Sequence, residues 1–159
     1  MRYSQSTELA IDSVFYMAAH PEINDFSVEQ IANAQGVSVS YLAKVFQHLV
    51  KAGLLRSHRG AKGGYALSRS PTQISLRDIA AVFEGSVPLY DCNASAKNCS
   101  LGAKCLIIAT FNEAEQKMYE VLARVTLQEL VNRTLAQTSW IGRETAAPQA
   151  HEAEQTRGA

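Results

Sequence analysis

The sequence predicts a mainly α-helical chain broken once by a small β-hairpin, and three observations predict it. Apolar residues recur at three- and four-residue steps along successive stretches, the periodicity of helices with one buried face. Serine or threonine followed three residues later by an acid or amide opens several of these stretches. Glycine gathers at residues 60, 63 and 64, between two short runs of strand character. With 159 residues, 47% hydrophobic and 19% charged, there is material for one domain with an appended helix or tail.

The elements follow in order. Residues 7–19 place Leu9, Ile11, Val14, Phe15 and Ala18 at helical spacing, with Glu8 and Asp12 one turn apart on the same side. Pro21 and "NDFS" close this helix. Ser27 with Gln30 forms a capping box for "VEQIANAQ", which Gly36 stops. Ser38 or Ser40 caps "SYLAKVFQHLVKA", whose Leu42, Val45, Phe46, Leu49 and Val50 line one face before Gly53. Two short helices joined by a tight glycine-containing turn form a helix-turn-helix. "LLRSH" and "YALSR" then read as strands around a glycine-rich tip, which makes the unit a winged helix-turn-helix. Pro71 and a second box, Ser75 with Asp78, open "LRDIAAVFEG", terminated by Gly85 and Pro88.

Beyond residue 105 a helix of about twenty residues carries a stripe of Ile107, Phe111, Ala114, Met118, Val121 or Leu122, and Val125. A lone stripe of that length is expected to pack on a second copy of the chain, making a homodimer; folding back on its own core is the alternative. Thr126 and Glu129 restart a helix through "LQELVNRTLA". Residues 143–159 lack a large apolar side chain and are expected to form a disordered tail.

The formal net charge is zero, but its distribution is not even. Between Glu29 and Asp78 there is no acid, while Lys44, Lys51, Arg56, Arg59, Lys62, Arg69 and Arg77 fall there. Seven cations without an acid make this stretch +7, and the other eight against fifteen acids make the rest −7. One positive face on a helix-turn-helix is the footprint of double-stranded DNA. Ser38, Ser40, Tyr41 and Lys44 occupy the start of the recognition helix, where side chains meet base edges in the major groove. Tyr41 also suits a half-buried core position. Arg59 in the wing suits an adjacent minor groove, and Lys51, His58 and Lys62 suit phosphate.

Enzyme readings find little support, because no P-loop, GxSxG, HExxH or dinucleotide fingerprint is present. No run of eighteen apolar residues and no signal-like N-terminus occur, so a cytoplasmic protein without membrane spans is expected. There, structural disulfides are disfavoured, and the three cysteines in "CNASAKNCSLGAKC" point to metal or redox chemistry. Their C-x6-C-x5-C spacing lacks the close pairs usual for zinc. It suits a bulkier iron–sulfur core, with Lys97 and Lys104 offsetting thiolate charge; a thiol switch and inert or zinc-bound cysteines remain open. An electron-transfer protein would share the cluster but has no need of the acid-free helix-turn-helix.

The strings "SVSYLAKVFQHLVKAGLL" and "RGAKGGYAL", the three-cysteine loop and the ending "VTLQELVN" together resemble the bacterial iron–sulfur winged-helix regulators that include IscR, NsrR and RirA. The resemblance covers roughly residues 1–135. It implies a homodimeric transcription regulator, a repressor or redox sensor, whose cluster tunes DNA binding. It assigns Cys92, Cys99 and Cys105 as cluster ligands. Ile108 stands where the cluster-assembly branch places a histidine, so the [2Fe–2S] ligand set of that branch fails. The nitric-oxide-sensing branch uses an N-terminal carboxylate of the other subunit on a [4Fe–4S] cluster, and Glu8 matches it, with Asp12 one turn further on. The implied division is a winged helix-turn-helix DNA-binding domain over 1–90, a cluster-binding loop over 91–106, dimerisation helices over 107–142 and the tail.

Overall fold

The computed structural model describes residues 3–58, 63–85, 88–90 and 105–137. Cys92, Cys99, Arg59, Lys62, Lys97, Lys104 and the expected tail lie outside the described residues. In chain order the elements are α1 (Gln5–Ala19), α2 (Val28–Gln35), α3 (Val39–Lys51), β1 (Leu55–His58), β2 (Gly64–Leu67), α4 (Leu76–Glu84), α5 (Leu106–Arg124) and α6 (Leu127–Gln137), with a 3-10 turn at Pro71–Gln73 before α4. The fold is a winged helix-turn-helix with a long helix attached.

Local chemistry sets the helix starts. Both capping boxes form: Ser27 with Gln30, and Ser75 with Asp78. Ser38, not Ser40, caps α3, accepting the Tyr41 N–H at 3.3 Å. Gly36 ends α2 with φ 67°, a left-handed conformation open to glycine without strain. α1 begins two residues earlier than its apolar periodicity indicates, because Ser4 caps it.

The hairpin pairs Leu55 with Leu67 and His58 with Gly64 in antiparallel register. Gly64 therefore sits within β2 rather than at the expected tip, and Ser68 and Arg69 fall beyond the strand. A Cβ at Gly64 would lie 3.1 Å from both the Asp25 Cβ and the Phe26 carbonyl oxygen, so the residue must be small. Beside it, Phe26 and Tyr65 exchange two backbone hydrogen bonds of 2.8 Å, adding a third rung to the sheet from the α1–α2 linker.

One core joins these parts. Ala10, Val14 and Met17 of α1 pack with Ile31, Leu42, Val45, Phe46, Leu49, Leu54, Leu55, Ile74 and Ile79. Leu127 and Val131 of α6 belong to the same core. These two residues tie α6 to the core of its own chain, while Leu135 further along it is 56% exposed. The entry to α6 is secured by backbone pairing: Leu76 N–H donates to the Val125 carbonyl at 3.0 Å, and Leu127 N–H to that of Ile74 at 2.9 Å. α5 is different, with no residue of its 19 buried.

A polar clasp ties the start of α1 to the end of α4. Glu84 accepts from the Ser4 N–H at 2.8 Å, the Ser4 hydroxyl at 2.9 Å and the hydroxyl of fully buried Thr7. These donors, Thr7 first, hold the Glu84 carboxyl below its ordinary range. A carboxyl lowered in the folded state contributes stability above its ordinary pKa and loses it as pH falls through the folded value.

Two outcomes follow from this packing. Leu127→Ala should lower unfolding free energy by about 2–5 kcal/mol in denaturant titration; a change below about 0.5 kcal/mol would place α6 outside the core. Glu84→Gln should lower the melting temperature at neutral pH and shrink the wild-type loss of stability on acidification, measured by thermal scans across the carboxylate range.

A candidate nucleic-acid interface and a cysteine-bearing helix

The recognition helix has two faces with different fates. Leu42, Val45, Phe46 and Leu49 point into the core, and Phe46 meets Tyr65 edge-on with centroids 4.9 Å apart. Burying four such side chains, each worth about 1.5–3 kcal/mol, fixes the rotation of α3 about its own axis. The opposite side, with Ser40, Lys44, Gln47 and Lys51, is exposed. Ser38 is occupied as the cap, with its hydroxyl 3.5 Å from that of Ser40. Tyr41 is half-buried and its hydroxyl lies 2.9 Å from that of Ser6, so it braces α3 against α1.

An acid from the α1–α2 linker approaches the wing base. His58 ends β1 exposed, with Nε2 3.5 Å from an Asp25 carboxylate oxygen. Asp25 precedes Phe26, whose bridge to Tyr65 anchors β2. A single-residue bridge has no periodicity, and nothing in "NDFS" distinguishes it from an ordinary turn. The cations also divide. Lys44, Lys51, Arg56 and Arg69 are exposed on the head. Arg77 instead lies over the Tyr119 ring, 5.0 Å from its centroid, joining α4 to α5. It belongs to the long-helix junction rather than to the positive face.

At that junction a cleft of about 900 Å³ runs between α4, α5 and the N-terminal segment, lined by Tyr3, Glu84, Glu115 and Tyr119 among others. The Tyr119 hydroxyl donates to Glu115 at 2.8 Å, and that carboxylate, first among several causes, raises the tyrosine pKa. Cys105 occupies the N-cap of α5, 8% exposed, with no side chain capping the free N–H groups there. Tyr90, the last described residue before the cysteine loop, stacks on Phe111 with centroids 4.7 Å apart. Phe111 is six residues into the helix that Cys105 starts, about 9 Å along it. Among the described residues no three candidate metal ligands meet, and Cys92 and Cys99 are not among them.

Glu8 stands exposed in the first turn of α1, next to the clasped Thr7. Asp12, one turn on, has its carboxyl pushed above the ordinary range by burial first and the Glu8 charge second. The pair is thus arranged with like charges together on one surface of α1.

Three comparisons place this geometry among known proteins. Residues 3–133 match the family described as Rrf2, iron-dependent transcriptional regulator. The chain is 32% identical over 131 residues to the HTH-type transcriptional regulator IscR of Vibrio cholerae, covering 82% of this chain and 75% of that protein. The structure of T. potens IscR superposes with a TM-score of 0.69 at 29% identity, over 87% of this chain and 93% of the other. That of CymR, the global cysteine regulator of B. subtilis, gives 0.66 at 27% identity, over 84% and 98%. The chain, with its capped helix-turn-helix, hairpin wing and cysteine-led long helix, belongs to the Rrf2 family of transcriptional regulators.

Proposed function

We propose that the protein is a homodimeric, DNA-binding transcription regulator that senses iron, redox state or nitric oxide through an iron–sulfur cluster. Cys92, Cys99 and Cys105 hold the cluster, with Glu8 of the second copy as fourth ligand and [4Fe–4S] favoured over [2Fe–2S]. The observation that carries this reading is the construction of α5. One helix has a buried cysteine at its uncapped start and an exposed apolar stripe along its length. Leu106 is 80% exposed, Ile107 54% and Val121 60%, too much large apolar surface on one helix for a face turned permanently to water.

The donor set fits the group. Thiolates are the usual iron–sulfur ligands, and the start of a 19-residue helix presents partial positive charge and free N–H groups to an anionic ligand shell. The cluster, when bound, supplies a redox-sensitive link among these ligands. The chain's own residues do the rest. Tyr90 stacks on Phe111 of α5, and Arg77 on Tyr119 holds α5 to α4. The Val125–Leu127 pairing then connects the far end of α5 to the head. A change of loop order thereby alters how two heads are spaced, and both recognition helices must meet grooves about one helical turn, or multiples of it, apart. A coupling of about 1–3 kcal/mol suffices for regulation. On the DNA side, Ser38, Ser40, Tyr41 and Lys44 face or brace the major-groove contact, while Lys51, His58, Arg59 and Lys62 serve phosphate and minor groove.

Protein purified without oxygen should be coloured and contain iron and inorganic sulfide, and Cys92→Ala, Cys99→Ala or Cys105→Ala should each deplete both. A colourless, iron-free protein whose DNA affinity changes only on thiol oxidation would replace the cluster by a thiol switch. Glu8→Ala should retain iron but change the Mössbauer signature of one site. For the interface, Ile107→Asp combined with Val121→Asp should halve the sedimenting mass while leaving head stability nearly unchanged; a mass equal to that of the wild type refutes the α5 contact.

A further inference from the structure

We infer that Gln47 is a specificity-determining residue that reads an adenine of the operator through its side-chain amide. The inference rests on the DNA-binding reading above and adds a base-reading position to it. It starts from the geometry of α3. At about 100° per residue, the buried Leu42, Val45, Phe46 and Leu49 define one side of the helix. Ser40, Lys44, Gln47 and Lys51 fall within an arc of about 60° opposite them, and all four are exposed.

Other polar side chains of this segment are engaged within the chain. Ser38 caps the helix, the Tyr41 hydroxyl pairs with Ser6, and the His48 ring lies 5.8 Å from that of Phe83. Lys44, Gln47 and Lys51 have no hydrogen bond or ion pair among the described residues, and Ser40 has only the long contact to Ser38. Gln47 is thus an uncommitted amide between two uncommitted cations, on the outward side of a helix whose rotation is locked by its core residues.

The helix rise decides which of the four stays within a groove. Gln47 lies about 10 Å along the axis from Ser40 and Lys51 about 16 Å, against a major groove about 12 Å wide. Gln47 therefore remains over base edges where Lys51 has reached the phosphate backbone. The chemistry narrows the base. A glutamine amide carries two donors and one acceptor, the complement of adenine's N7 acceptor and N6 amino donor. An ammonium offers donors only, which suits guanine or phosphate instead.

The test is selection from a random duplex DNA library by the full-length protein, followed by titration of single-base variants of the selected sequence. Wild type should show an A·T pair whose replacement weakens binding roughly tenfold to hundredfold. Gln47→Ala, a helix-compatible change on an exposed face, should keep its melting temperature and lose the preference at that pair alone. Gln47→Glu should move the preference there toward cytosine, whose N4 amino group a carboxylate accepts. Lys51→Ala provides the contrast: a similar loss for every sequence and a salt slope smaller by about one. If wild type and Gln47→Ala select the same sequence with the same single-base penalties, the inference is overturned while DNA recognition stands. Relaxation at a G·C pair, or a uniform loss of affinity, overturns it equally. Wild type that enriches no sequence removes the DNA-binding reading itself, and this inference with it.

Discussion

Two backbone hydrogen bonds, from Leu76 to Val125 and from Leu127 to Ile74, splice the end of the long helix onto the strand-like entry to α4. Two of the four apolar members of the splice, Ile74 and Leu127, are fully buried, so water does not compete for the bond between them and its loss would leave buried backbone groups unpaired. The rest of the architecture follows from this closure. It draws α6 into the winged-helix core and leaves α5 as a strut attached at intervals. Tyr90 stacks near the start of that strut, Arg77 grips Tyr119 further along, and the splice secures its end.

The strut is tied down at three places along its length. Its inner side touches α4, while its outer side keeps large apolar groups in solvent. Cys105 sits at one end and the head core begins at the other. The clasp of Glu84 with Ser4 and Thr7 works on the same region from the N-terminal side, where Glu8 is the next residue. Carboxylates divide there: donors hold the Glu84 carboxyl below its ordinary range, whereas burial and then the Glu8 charge push that of Asp12 above it.

The reading head shows a comparable division between structural and free polar groups. Satisfied groups such as Ser38, Tyr41 and Ser13 stay within the chain, with Ser13 donating to the Leu9 carbonyl at 2.7 Å and accepting from Gln35 at 3.1 Å. Lys44, Gln47 and Lys51, exposed and without a partner among the described residues, share one outward arc. Because the opposite arc is pinned by full burial of Phe46, Leu42 and Leu49, the outward arc is presented with little rotational freedom, and little further ordering is needed on binding.

Short-range chemistry was legible in the sequence, because caps, boxes and apolar periodicity act within a few residues. The helix-turn-helix, the wing, both capping boxes and the long helix after Cys105 could all be read from residues 7 to 125 on that basis. The acid-free stretch likewise points to a positive face, and Lys44, Lys51, Arg56 and Arg69 within it are exposed. Long-range pairings were not legible. The Phe26–Tyr65 bridge, the close backbone approach at Gly64, the His58–Asp25 contact and the Glu84 clasp each join residues about thirty to eighty positions apart. No periodic signal marks any of them. The destination of α6 was open for the same reason: an amphipathic stripe states that a face must be buried, and only the three-dimensional closure at Ile74 and Val125 decides whose surface covers it.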